Sequence, residues 1–329
     1  MGRNMLWSTT TVNHKKKSLT HWKGGMILQM MEELNMASKK QYEAITRIHI
    51  EALENGVVPW QKPWENSHGM PHNAKTLRKY NGLNPWTLML SGWNKGYTST
   101  GWLSFKQIKS LGGYVRKGEK STLVYFWSFD TVKKVIDPDT GEEYTKQIPF
   151  MRMYNVFNTE QCEGFILPTQ EIESKSFEPI EEAERITKRY LESENGPKFA
   201  HDGVDRAFYR PSLDRIALPP KETFVSVAEY YSTLFHEMTH STGHPTRLGI
   251  FSEDMKIASF GSEEYSHEEL RAELGSSFLC LESGIKCEDT QRNSSAYLAN
   301  WARVLRAEPK ILVSAAGKAQ KSTKYILEV

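Results

Sequence analysis

The sequence predicts an α+β protein of two domains, and three observations carry that prediction. Late in the chain, a helical pattern holds Phe235-His236-Glu237-Met238-Thr239-His240 and is followed by a second, acidic helical pattern over residues 263–279. Early in the chain, aromatic-rich strand patterns alternate with short helices and turns marked by Pro and Gly. Charge divides along the same line. Residues 1–168 carry 22 Lys and Arg against 14 Asp and Glu, a balance of +8, whereas residues 169–329 carry 20 against 26, a balance of −6. Eight of the nine Trp fall in the first part, leaving only Trp301 outside it. A basic, aromatic part joined to an acidic one implies different partners for the two.

A chain of 329 residues is long enough for two cores. It has no apolar run of bilayer-spanning length, and the basic stretch Lys15-Lys16-Lys17 is followed only by the short apolar piece Met26-Ile27-Leu28. Without a small-residue cleavage site, that stretch does not read as a secretory signal. Cys162, Cys280 and Cys287 make an odd count without zinc-ribbon spacing. The expectation is a cytoplasmic protein in a reducing setting, with no membrane partner.

Taken in order, residues 1–35 lack sustained periodicity and read as an extension, disordered or weakly helical, with Met36 as a natural start. A helix is predicted over residues 41–55, where Tyr42, Ile45, Ile48, Ala52 and Leu53 recur at helical spacing and Gly56 stops it. The pairs Pro59-Trp60 and Pro63-Trp64 make the next segment rigid and extended, and Pro71-His72-Asn73-Ala74 reads as loop. Helices are predicted from Pro85-Trp86 and over residues 104–111, the second ending at Gly112-Gly113. Residues 115–127 read as strand, basic turn, strand; residues 137–141 as a turn; residues 150–157 as an aromatic strand. The first domain, a small antiparallel sheet with helices, is therefore placed at 36–168, with a polar linker at 169–178 and the second domain at 179–329. In that second domain, residues 180–194 form a charged helix stopped by Gly196-Pro197, and 207–210 and 214–218 form short strands. Residues 293–306 and 311–327 are helical, with Gly317 as a candidate break. No internal repeat, phosphate-binding glycine loop or nucleophile elbow is present.

His236 and His240 are four apart, so on a helix of about 3.6 residues per turn they leave the same face. Two imidazoles so placed reach one Zn²⁺, with Glu237 beside the metal's open position. The plainer reading is a pair of partly buried histidines with ordinary hydrogen bonds. In the acidic helix, Glu269 and Glu273 stack four apart, which suits a site where one carboxylate ligates and the other holds a ligand histidine. The plainer reading there is a solvated acidic face. A third histidine six residues beyond the second is missing, because position 246 is Thr246 and His244 falls only four beyond, so a carboxylate is favoured as third ligand. In the first part, Trp60, Trp64, Tyr80, Trp86, Trp93, Trp102 and Tyr114 interleave with lysines and arginines. Bases of a single strand stack on such rings while cations follow the phosphates. Against this stands a reading of most Trp as core and of the basic turn as a solvated hairpin.

Several stretches, in the same order, resemble the ArdC/TraC family of plasmid antirestriction and DNA primase-associated proteins. They are Gly56-Val57-Val58-Pro59-Trp60-Gln61-Lys62-Pro63-Trp64, Pro71-His72-Asn73, Tyr80-Asn81-Gly82-Leu83-Asn84, residues 112–120, residues 236–244, Arg247-Leu248 and residues 268–273. The resemblance covers about residues 38–327. It implies an amino-terminal domain that binds single-stranded DNA, a carboxy-terminal zincin-like metallopeptidase domain of gluzincin type, and protection of incoming mobile DNA from restriction. Ser241 departs from the family, which more often has an aromatic there.

The combined expectation is one Zn²⁺ per chain on His236, His240 and Glu269, with Glu237 as general base toward an attacking water and Glu273 orienting a ligand histidine. Tyr209 and His244 are candidate oxyanion donors. Single-stranded DNA, and duplex more weakly, is assigned to Trp60, Lys62, Trp64, Arg78, Lys79, Tyr80, Arg116, Lys117 and Lys120. The protein substrate is unidentified. Two rivals remain at this stage: a DNA-coating protein with a non-catalytic metal site, and a cytoplasmic zinc peptidase whose first domain binds protein.

Overall fold

A computed structural model describes residues 39–60, 70–136, 142–167, 179–202, 206–251, 263–285 and 295–329. The expected extension at 1–35, the linker at 169–178 and the turn at 137–141 lie outside the described residues. The structure bears out an α+β fold in two parts.

The first part opens with helix α1 (residues 39–54), followed by β1 (His72–Asn73), α2 (Asn84–Lys95), β2 (Gly101–Ser104) and α3 (Phe105–Ser110). It continues with β3 (Tyr114–Val115), β4 (Thr122–Ile136), β5 (Glu143–Asn158) and β6 (Cys162–Glu163). Local chemistry explains the helix ends. Pro85 sits in the first turn of α2, where its missing N–H costs nothing, and Gly96 closes it with a left-handed φ of 72°. Ser104 and Gln107 satisfy each other's backbone at the start of α3 in a capping box. A four-stranded sheet runs β1-β2-β5-β4, its long hairpin β4–β5 pairing antiparallel from Thr122↔Val156 to Ile136↔Glu143.

The second part begins with α4 (Pro179–Leu191) and a three-stranded sheet of β7 (Lys198–His201), β8 (Phe208–Arg210) and β9 (Arg215–Leu218), ordered β7-β9-β8. The helices α5 (Val227–Ser241), α6 (Glu263–Ser283), α7 (Ser295–Ala307) and α8 (Lys310–Glu328) follow. Ser226 caps α5, its side chain accepting from the Glu229 N–H at 3.0 Å. Among the described residues, no helix is long and apolar enough to cross a membrane.

Three local expectations are corrected and one strand is added. The strand before the basic turn does not pair across it: β3 pairs with β6, Tyr114↔Glu163, so the turn joins two different sheets. His72-Asn73 is not loop but a short parallel strand beside Gly101-Trp102. β7 follows the Gly196-Pro197 stop, where too few residues alternate for a pattern to show. α8 runs unbroken through Gly317.

Packing joins the two parts. One apolar core contains Ile45, Leu53, Trp60 and Trp86 from the first part and Leu270, Leu274, Phe278 and Trp301 from the second. A second core lies within the second part, where Ile186, Ile216, Phe235, Met238 and Ile326 meet. The first core draws on both α6 and α8, and truncating a buried Trp there to Ala removes roughly 3–5 kcal/mol of stability.

His49 of α1 is fully buried, with Nε2 2.8 Å from the Thr87 hydroxyl. Burial pushes its pKa from 6.5 down to about 3. The imidazole stays neutral in the folded state, while the unfolded chain takes up a proton as pH falls through 6.5. Stability is therefore complete above that pH and is lost as pH falls toward 3, by about 1.4 kcal/mol per unit. In denaturant melts between pH 7.5 and 5, His49→Gln is expected to show a shallower acid loss than wild type, by about one proton. Equal slopes would mean that another group carries the acid sensitivity.

Candidate functional site

Helices α5 and α6 bring the site together because they pack closely, Gly275 of α6 lying against the Thr239 side chain of α5. A Cβ added at Gly275 would lie 2.4 Å from Thr239 Cγ2, so only glycine lets the two helices approach this closely. On α5, His236 and His240 leave one face, as their spacing requires, with Nε2 atoms 3.0 Å apart. From α6, Glu269 reaches both, Oε2 lying 3.5 Å from His236 Nε2 and Oε1 3.5 Å from His240 Nε2. One ligand atom from each of these three residues lies within 4.8 Å of the others.

The chemistry of this donor set fits a divalent cation. His240 Nδ1–H donates to Glu268 Oε1 at 2.9 Å, which fixes the tautomer and turns the Nε2 lone pair toward His236 and Glu269. Burial alone would lower the His240 pKa, but the carboxylates of Glu268, Glu269 and Glu237 outweigh it and raise it to about 10. The same three carboxylates attract a cation to this pocket. Burial pushes the Glu268 carboxyl up, and Arg271 and His240 overcome that and bring it down to about 2. Glu269 is held low in the same way by the two histidines.

Arg271 is the support that sequence reasoning missed. Its side chain is 1 % exposed and grips Glu268 with a two-pronged contact, Nε to Oε2 at 2.7 Å and Nη2 to Oε1. Its remaining donors reach Thr242 Oγ1 at 2.9 Å, Ser322 Oγ at 2.6 Å and the His240 carbonyl at 3.4 Å. The signal was available as a Glu-x-x-Arg spacing, which places the two on one helix face. Glu273 is a correction. Its carboxylate does not hold a ligand histidine; it accepts from Trp60 Nε1 at 2.9 Å and from the Tyr297 hydroxyl at 2.5 Å. One turn beyond Glu269, it faces the shared core rather than the imidazoles.

Glu237 is 6 % exposed, next to His236, and lies outside the converging triad. Tyr209 is corrected as an oxyanion donor, because its single hydroxyl proton goes to Asp214 Oδ1 at 2.8 Å. His244 turns the same way, with Nδ1 2.8 Å from the Thr246 hydroxyl and 4.0 Å from Asp214 Oδ2. Arg247 also binds Asp214, so this cluster pins the segment after α5 instead of facing the triad. Ser241 is fully buried, its Oγ 2.7 Å from the Tyr190 hydroxyl.

The residues expected to hold DNA divide. Trp60 is 0 % and Tyr80 4 % exposed, so neither offers an open face; Trp60 is a buried link to α6. Trp86 and Trp102 are core as well. Arg78, Lys117 and Lys120 are exposed, Lys79 is exposed but bonded to Glu282 at 2.8 Å, and Arg116 is paired with Glu119 at 2.8 Å. Lys62 and Trp64 lie outside the described residues. Composition does not separate buried from open rings, and the rings that are open include Phe126, Trp127 and Tyr154, at 42 %, 42 % and 43 % exposure.

Comparison with known proteins agrees with this division into two parts. Residues 39–157 match the family described as the N-terminal domain of anti-restriction factor ArdC, and residues 187–318 match the zincin-like metallopeptidase family. DNA primase TraC of Escherichia coli is 37 % identical over 307 residues, covering 88 % of this chain but only 27 % of that protein. The chain thus spans about a quarter of that relative's length. Uncharacterized protein y4eC of Sinorhizobium fredii (strain NBRC 101917 / NGR234) is 32 % identical over 292 residues, covering 87 % of this chain and 91 % of that one. Crystal structures of the antirestriction ArdC protein from plasmid R388 superimpose in both states. The metal-free structure has a TM-score of 0.66 at 34 % identity, over 87 % of this chain and 96 % of that one. The Mn(II)-bound structure has a TM-score of 0.67 at 33 % identity, over 87 % and 97 %.

The geometry separates the glutamates by experiment. In Zn²⁺ titration calorimetry, Glu269→Ala is expected to abolish tight binding, and Glu268→Gln to weaken it about 10–100-fold. Glu273→Gln should bind metal as wild type does while melting lower. If Glu273→Gln loses the metal and Glu268→Gln keeps it, the assignment is reversed.

Proposed function

The chain belongs to the ArdC family of antirestriction proteins, and on that premise we propose that it protects incoming mobile DNA from restriction by binding it as a single strand, and that it carries a zinc-dependent peptidase site. The observation that carries the second half is the convergence of His236, His240 and Glu269 with the Glu268–Arg271 support behind them. The family relative crystallised with Mn(II) supports a divalent ion here; imidazole and carboxylate donors suit Zn²⁺.

When bound, the metal supplies Lewis-acid activation of water and of the substrate carbonyl. The chain's own residues do the rest. Glu268 keeps the His240 proton on Nδ1, so that the Nε2 lone pair would be free to hold a metal. Glu237 is buried beside the triad, where its carboxylate accepts the proton of the attacking water and returns it to the leaving nitrogen. A structural zinc site is normally closed by four protein ligands, and the three ligands here with an adjacent glutamate favour catalysis. For DNA, the supporting observations are the +8 balance of residues 1–168 and the open rings and cations of the first part. The work takes place on the cytoplasmic side, where restriction acts.

Two outcomes test this reading. The full chain should bind labelled single-stranded DNA more tightly than blunt duplex, with affinity falling as salt rises; salt-independent binding, or none, removes the DNA half. Glu237→Ala should keep fold and metal yet lose about 10²–10⁴ in any proteolytic rate. Protection from restriction should persist in Glu237→Ala at matched protein level, because the DNA surface is intact. Full loss of protection would make the peptidase the working part.

A further inference from the structure

Of the rings first assigned to DNA, Trp60 and Tyr80 are core, so among the described residues the strand needs another path. A groove of about 990 Å³ runs between the β4 side of the first part and helix α8 of the second. None of the metal triad lines it. A second groove of about 520 Å³ adjoins it, with Tyr80 and Phe126 lining both. The path contains the open faces of Phe126 and Trp127, and beyond them Tyr154, whose ring centroid lies 5.5 Å from that of Phe126.

The wall opposite is cationic although it belongs to the acidic part of the chain. Lys310, Lys318, Lys321 and Lys324 all line the groove and all are exposed. Their spacing puts them on one face of α8, and at 1.5 Å per residue the stripe is about 21 Å long. Lys79 lines the middle, and Lys75 and Lys106 line the far groove. Among the described lining residues the acids are Glu282 and Glu328, each already paired with a lysine, Lys79 at 2.8 Å and Lys324 at 3.7 Å. The surplus of positive charge is therefore left for a ligand.

Gly317 is an independent observation. It stands inside an unbroken 19-residue helix, where glycine is unfavourable relative to alanine. Among the described residues no atom demands it: a Cβ built there meets nothing within 4 Å. Its bare position faces the groove among the lysines. Glycine in that setting suits the close approach of something outside the fold.

We propose that single-stranded DNA lies in this groove, its bases against Phe126, Trp127 and Tyr154 and its phosphates along the lysines of α8, with the backbone passing close over Gly317. The inference rests on the DNA reading above and relocates the strand to a track built by both parts of the chain. An acidic peptide would engage the lysines, but it has no flat base to set against the rings.

Fluorescence anisotropy of the full chain with labelled oligothymidine, over a salt series, tests it. Lys318→Ala/Lys321→Ala/Lys324→Ala is expected to lower the salt slope by about 2 and weaken binding. Phe126→Ala and Tyr154→Ala should each weaken it about fivefold or more. Lys188→Ala/Lys198→Ala, which removes two exposed charges from α4 and β7, should bind as wild type. Gly317→Ala should melt at or above the wild-type temperature, and Gly317→Leu should stay folded yet bind less. Wild-type binding with every groove variant unaffected overturns the inference and leaves the DNA reading standing. No binding by wild type overturns both. Competition by polyglutamate that survives Phe126→Ala, with DNA binding indifferent to the rings, would assign the groove to an acidic peptide instead and overturn the proposal.

Discussion

Arg271 is almost completely buried, and a guanidinium does not lose its charge at that depth. Each of its five N–H donors must therefore meet an acceptor. Glu268 takes two of them, Thr242 and Ser322 take one each, and the His240 carbonyl takes the last. Those acceptors come from the end of α5, from α6 and from α8, so one side chain sets the mutual register of three helices. Breaking that set leaves a buried charge unpaired, at a cost of about 3–5 kcal/mol. Glu268, held by Arg271, then holds His240, and the imidazole inherits the rigidity of the whole arrangement.

The same helix serves the other part of the chain. Glu269 leaves α6 toward the imidazoles, whereas Glu273 and Ser277 leave it toward the indole N–H groups of Trp60 and Trp86. Gln320 of α8 adds two further bonds, accepting from the Gly82 N–H at 2.7 Å and donating to Asn81 Oδ1 at 2.9 Å. The metal helix is thus a core element of the first part as much as of the second. Helix α8 stands in both the groove proposed for DNA and the support of the metal site: Lys318, Lys321 and Lys324 face the groove while Ser322 faces Arg271.

The parts of this arrangement that were legible in the sequence are those governed by short spacing. His236, Glu237 and His240 sit on a helix because four-residue spacing and an uninterrupted helical run leave few alternatives. Glu269 and Glu273 share a helix face, as expected, but a shared face does not fix a shared partner. A rise of one turn carries Glu273 past the imidazoles to a tryptophan 213 residues away in sequence. Trp60 looked like a stacking platform for the same reason: composition records the ring, and only the partner decides whether it is covered. The pairing of β3 with β6 in place of β4 is again a long-range choice that the turn between them does not reveal.

The central claim is a cation site made of two imidazoles and one carboxylate, with Glu268 behind His240. Anomalous diffraction at the zinc edge, from crystals of the wild-type protein grown with Zn²⁺, tests it most directly. The expected map has one peak per chain bonded to His236 Nε2, His240 Nε2 and a Glu269 oxygen, with Glu268 remaining on His240 Nδ1. A peak bonded to Glu268 or Glu273, or no peak between the two histidines, contradicts it.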